Sequence, residues 1–192
     1  MQLLLYVFCR EVRIRAMDWY HEPPHWHADG NTLTLTTAAN TDFWRSPDGA
    51  TVSDSGHFLP HPITGNFQAE VKVIGAYRDL YDQAGLMLRL DDATWLKCGI
   101  EFFEGAQHVS AVVTRDYSDW ALAPLPPNPT ALWLRLQRQG SDVHIHYSLD
   151  GATYLLLRHA YFPATARGQV GAMAASPTGT GFEVSFEGFS IT

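Results

Sequence analysis

Charge is scarce in this chain. Only 17% of its 192 residues are Asp, Glu, Lys or Arg. The shortage is greatest among basic side chains, with 13 Lys and Arg against 20 Asp and Glu, a formal net charge of −7. A protein that tracks a nucleic-acid backbone carries a basic surplus, and an anionic membrane surface demands the same. There is no Lys/Arg cluster, so neither nucleic acid nor membrane is expected as a partner. Cysteine is nearly absent too. Cys9 and Cys98 stand far apart, in no metal or redox spacing. They read as free thiols of a reducing compartment, which makes a cytoplasmic location the expectation. No apolar run approaches the ~20 residues of a membrane span. The apolar start, Met1 to Cys9, has no basic residue before it and Arg10, Arg13 and Arg15 after it. A secretory signal has the opposite order. Apolar residues also fail to recur with a helical period over ten or more positions.

What is present is a period of two. The chain is 46% hydrophobic and 12% aromatic, which argues against disorder and for strands. In Thr32 to Thr36, Leu33 and Leu35 oppose three threonines. Phe67, Ala69, Val71 and Val73 alternate with Gln68, Glu70 and Lys72. Ala84, Leu86, Leu88 and Leu90 oppose Gln83, Gly85, Met87 and Arg89. Leu96, Cys98, Ile100 and Phe102 oppose Lys97, Gly99 and Glu101. Segments 108–115, 132–137 and 143–147 follow the same rule, and 168–175 is apolar on both faces. Phe182, Val184 and Phe186 have one parity, Phe189 and Ile191 the other, which predicts a bulge at Gly188. Ser46 to Gly49 and Ser148 to Gly151 carry turn chemistry. Pro124 to Pro129 is a loop. About a dozen short strands over this length point to an all-β, antiparallel jelly-roll sandwich.

Several motifs occur together and in order: Trp19-Tyr-His-Glu-Pro23, Thr41-Asp-Phe-Trp-Arg45, Gly56-His-Phe58, Leu80 to Arg89, Trp95 to Glu101, Ser118-Asp-Trp120, Tyr147 to Gly151 and Phe186 to Ser190. On these residues the chain resembles the uncharacterised family that includes the fungal "regulation of enolase" proteins. The resemblance covers about residues 17–192 and departs at His21, where Asn is more usual. It implies the concanavalin A-like lectin/glucanase fold, a two-sheet jelly roll. Family members begin just before the Trp-x-x-Glu-Pro element, which implies residues 1–16 as an N-terminal extension, Met17 as the start, and 17–192 as one sandwich domain. It implies no reaction and no catalytic residues.

Candidate binding residues follow from the alternation. Gln83, Arg89, Lys97 and Glu101 project away from the core, with Ser110 and Thr114 beside them. On curved sheets such a face lines a concave groove rich in donors and acceptors. Trp44 and Trp120 would supply aromatic platforms for sugar C–H faces, with Asp42 and His57 from neighbouring loops. Gly85 and Gly99 would let a ligand approach closely. The bland alternative is a solvated sheet face carrying cross-strand ion pairs. The leading expectation is therefore a non-catalytic, lectin-like domain for an oligosaccharide or polyol-like ligand. A protein-interaction or regulatory module acting on a metabolic enzyme is the second expectation, and a divergent glycoside hydrolase the third. For hydrolysis, the paired carboxylates of a Glu-x-Asp-x-x-Glu strand are missing, although Asp42, Asp82 or Asp119 can meet Glu101 in space. No cofactor is expected. The histidines at 21, 25 and 27, at 57 and 61, and at 144 and 146 fit no standard zinc spacing, and no acid-rich calcium loop occurs, so no metal is expected. Cys98 lies on an apolar face and reads as a structural thiol.

Overall fold

Alternating apolar side chains can leave water only if two sheets close on each other, and the computed structural model shows that arrangement. It describes residues 10–11, 18–164 and 167–192. Of the expected N-terminal extension, all but Arg10 and Glu11 lies outside the described residues, as do Cys9 and the expected start at Met17.

The first sheet has the order β14 (Leu155–Tyr161), β13 (Asp142–Ser148), β12 (Leu132–Gln139), β7 (Phe67–Gly75), β16 (Glu183–Ile191), β3 (Thr32–Thr36) and β2 (His25–Asp29), and β1 (Arg10–Glu11) pairs with the end of β16. The second has the order β11 (Tyr117–Pro124), β10 (Ala106–Arg115), β9 (Thr94–Phe103), β8 (Gln83–Arg89), β15 (Gly168–Ala175) and β6 (His57–Ile63). A separate hairpin joins β4 (Phe43–Arg45) to β5 (Val52–Asp54). Every strand pair is antiparallel. No helix occurs among the described residues, so none there is long and apolar enough to cross a membrane.

The main core lies between the sheets. Leu33, Val71, Val73, Leu134, Val184 and Phe186 face Leu86, Leu88, Leu96, Ile100, Val109 and Ala172, and all are almost fully buried. Cys98 sits in this layer, and burial pushes its thiol up to about 12. The register of β16 shifts between Glu187 and Ser190, with Gly188 at φ 67°, so one bulge returns Phe189 to the core. Pro60 and Pro62 fall within β6, a segment the sequence gives little reason to read as a strand. They are tolerated because β6 is the edge strand of its sheet, with β15 as its neighbour there.

The opposite face of the second sheet differs from a solvated surface. Phe58, Met87, Trp95, Val112 and Met173 form a second apolar layer there, roofed by Phe43 from β4. Gln83, Arg89, Lys97 and Glu101 are only 5–6% exposed. The solvated-face alternative is therefore corrected: the β4–β5 hairpin covers this face.

Candidate functional site

The roof is held by a charge clamp. Arg89, in β8, donates from both Nη atoms to the two carboxylate oxygens of Asp54, each at 2.9 Å. The Tyr20 hydroxyl donates to Asp54 Oδ2 at 2.6 Å, and the guanidinium lies 4.4 Å from the Tyr20 ring centre. Asp54 ends β5, so this pairing fastens the hairpin to the sheet. On the partner strand β4, Arg45 N donates to Ser118 Oγ at 3.0 Å and fastens the other end of the hairpin.

Beside the roof a cleft of ≈ 220 Å³ remains open. Asp42 and Trp44 line it from the hairpin, Gln83, Lys97 and Glu101 from β8 and β9, Trp120 from β11, and Tyr81 and Val112 complete it. Gln83 and Glu101 are directly opposed across β8 and β9. Lys97 Nζ donates to Gln83 Oε1 at 2.5 Å and to the Phe43 carbonyl at 2.6 Å, with Asp42 Oδ1 at 3.4 Å. Gln83 Nε2 donates to Asp42 Oδ1 at 3.3 Å and to the Tyr81 carbonyl at 3.2 Å. Glu101 Oε2 accepts from Ser110 Oγ at 2.6 Å and from Trp120 Nε1 at 3.0 Å. The floor is thus a hydrogen-bonded network with one ammonium and two carboxylates, held rigid by its own bonds.

The walls are aromatic. The Trp120 ring centre lies 6.3 Å from Trp44, 6.2 Å from Tyr81 and 5.5 Å from Phe103, each edge to face. Tyr81 adopts φ 69°, in the left-handed region. Asp82 fixes that turn: its buried carboxylate accepts from the backbone nitrogens of Arg78 and Asp79 and from Ser176 Oγ.

Six of the residues expected at a binding face therefore line one cleft: Asp42, Trp44, Gln83, Lys97, Glu101 and Trp120. Arg89 and His57 do not. Arg89 is engaged in the clamp. His57 is buried, accepts from Ala38 N at Nε2 (2.9 Å) and donates from Nδ1 to the His21 carbonyl (2.8 Å). That bonding sets the neutral tautomer, and burial pushes its pKa down. Ser110 supports Glu101, whereas Thr114 bonds Ser118 at 2.8 Å. Tyr81 and Val112 join the cleft without having been singled out. Tyr81 has a signal in the Leu80-Tyr-Asp motif, while Val112 is an apolar residue on a polar face. The glycines have another purpose. Gly85 and Gly99 oppose each other, and a Cβ on either would lie 1.9 or 2.0 Å from a carbonyl oxygen of the neighbouring strand. Strand contact, more than ligand approach, requires glycine there.

Among the described residues no group of three His, Cys, Asp or Glu side chains is arranged to hold a metal ion. His144 stacks on His159 with ring centres 4.3 Å apart, and His159 bonds Asp142.

An all-β jelly-roll sandwich with an aromatic and polar cleft on one outer face is a widely used binding architecture. Residues 19–192 match the family described as "Protein of unknown function (DUF1349)", and the chain belongs to it. It is 40% identical over 174 residues, 91% of this chain and 88% of the other, to "Regulation of enolase protein 1" of Saccharomyces cerevisiae. The resemblance on sequence motifs is thus confirmed. The crystal structure of a functionally unknown protein from Saccharomyces cerevisiae superposes with a TM-score of 0.88 at 39% identity, covering 92% of this chain and 95% of that one. Two structures of low identity share the fold. The carbohydrate-binding module CBM66 of Bacillus subtilis has a TM-score of 0.59 at 13% identity, covering 92% and 96% of the two chains. The GH43 protein BlXynB of Bacillus licheniformis has a TM-score of 0.70 at 16% identity, covering 88% of this chain and 35% of that one.

Proposed function

We propose that this protein binds a carbohydrate, without chemical turnover, in the cleft between the β4–β5 hairpin, β9 and β11. The observation that carries the reading is the union of Trp44, Tyr81 and Trp120 rings with the rigid floor of Asp42, Gln83, Lys97 and Glu101. Aromatic faces take the C–H side of a sugar ring, and carboxylate oxygens take its hydroxyls. The floor groups are ordered before any ligand arrives, so little side-chain entropy opposes binding. A module of the same fold is named for carbohydrate binding, which agrees with this reading.

A thermal-shift panel of monosaccharides and oligosaccharides tests it. A ligand at 100 times its Kd adds about 2.7 kcal/mol, a rise of roughly 5–10 °C for a chain of this size. The rise should vanish in Trp44→Ala, whose fold rests on other contacts. A flat panel with a folded protein refutes the proposal. Asp42 and Glu101 share the cleft, so aryl glycosides belong in the panel: turnover lost in Glu101→Gln would replace binding by hydrolysis.

A second reading is a regulatory contact with another protein. The name of the Saccharomyces cerevisiae relative speaks of regulation of enolase. Leu155 and Leu156 at the β14 edge and Tyr161 at its end are more than half exposed, apolar side chains available to such a contact. Analytical ultracentrifugation of a Leu155→Asp/Leu156→Asp variant with a purified metabolic enzyme separates this reading from the first.

A further inference from the structure

The cleft's remaining hydrogen-bonding capacity narrows its ligand, and this step rests on the carbohydrate-binding reading above. The floor has spent its donors. An ammonium carries three N–H donors and an amide two. Those of Lys97 are taken by Gln83 Oε1, the Phe43 carbonyl and Asp42 Oδ1. Those of Gln83 are taken by Asp42 and the Tyr81 carbonyl. The single indole donor of Trp120 and the hydroxyl of Ser110 both end on Glu101 Oε2.

The acceptors are not spent. Glu101 is 6% exposed, lines the cleft, and both of its bonds fall on one oxygen. Its other oxygen, Oε1, has no hydrogen-bond partner among the described residues. Asp42 likewise receives its side-chain contacts on Oδ1 alone. An open oxygen on a carboxylate that is otherwise nearly buried suits a charged donor best. Two carboxylates against one ammonium leave the cleft negative, and the aromatic walls of the same cleft favour a cation further. The donors that remain, the Tyr81 hydroxyl and Trp44 Nε1, stand on the walls, where they suit ring hydroxyls.

Size sets the rest. The cleft of ≈ 220 Å³ has room for a sugar ring. We infer that the cleft is built for a sugar ring bearing a free, protonated amine, that is, a hexosamine, whose ammonium meets Glu101 Oε1 while its ring packs against the aromatic walls.

Isothermal titration of the full chain at low salt tests this with four probes: glucosamine, glucose, N-acetylglucosamine and cyclohexylamine. Glucosamine should bind about 10- to 100-fold more tightly than glucose or N-acetylglucosamine, because only it offers a charged donor. Cyclohexylamine, a ring with the amine and no hydroxyls, should bind more weakly than glucosamine. Glu101→Gln should erase the preference for glucosamine over glucose. Trp44→Leu, which leaves the floor untouched, should weaken both sugars and preserve the preference. If glucose or N-acetylglucosamine binds as well as glucosamine, the amine inference fails and the carbohydrate reading stands. If cyclohexylamine matches glucosamine, the site reads an amine and not a sugar, and both fail. Silence from all four probes against a folded chain overturns both as well.

Discussion

Removing the Asp54 carboxylate should loosen the cleft without touching it. In Asp54→Ala, the Arg89 guanidinium, 5% exposed, keeps its charge and loses both bidentate partners, and the Tyr20 hydroxyl loses its acceptor. Breaking a buried pair from one side costs about 3–5 kcal/mol, mostly from the charge left behind. Asp54 itself is 25% exposed, so water can reach the vacated site, and about 3 kcal/mol is the better figure. A chain of this length has an unfolding entropy near 0.4 kcal/mol per kelvin, so the melting temperature should fall by about 7 °C. Asp54→Asn, which retains one acceptor, should lose about half as much. The paired replacement Arg89→Met/Asp54→Leu should recover most of the loss, since an apolar pair carries no desolvation cost. Asp42 and Trp44 ride on the same hairpin, so ligand affinity in Asp54→Ala should fall more than in the paired replacement. Differential scanning calorimetry of the three variants is the assay. An Asp54→Ala midpoint within about 2 °C of the parent would show that the clamp is not what holds the roof.

Acid should destabilise the fold through buried neutral histidines. His61 is 5% exposed, packs 4.8 Å from the Phe189 ring and has no hydrogen-bond partner on either ring nitrogen among the described residues. Burial lowers its pKa and that of His57 below the ordinary 6.5, so the unfolded chain binds more protons than the folded one. Stability is full above pH 6.5 and falls below it, by up to about 1.4 kcal/mol per pH unit for each histidine. Urea midpoints from pH 7.5 to 4.5 should show this slope, and His61→Leu should flatten it; an unchanged slope would rule His61 out. Gly99→Ala would place a methyl 2.0 Å from the Ala84 carbonyl oxygen, forcing β8 and β9 apart. A loss of at least about 2 kcal/mol is expected, and a neutral effect in chemical denaturation would contradict the close strand approach.

The period-two alternation of β3, β7, β8, β9 and β12 determined those strands, their buried faces and the sandwich, because a residue's parity alone decides which side of a sheet it occupies. The parity change at Gly188 marked the bulge for the same reason. Strands without that signal were harder to read. β6 contains two prolines that only an edge position excuses, and β2 is exposed along its whole length. Parity also placed Gln83, Arg89, Lys97 and Glu101 together on one face. It did not say that a hairpin from residues 43–54 would roof that face, because the pairing of Arg89 with Asp54 spans 35 positions. Such long-range contacts decided which polar groups were spent: Arg89 and His57 on the framework, Lys97 on its neighbours. Tertiary packing alone left one oxygen of Glu101 open. Which valences remain free for a ligand depends on every contact already made, and those contacts join segments whose local sequence carries no trace of one another.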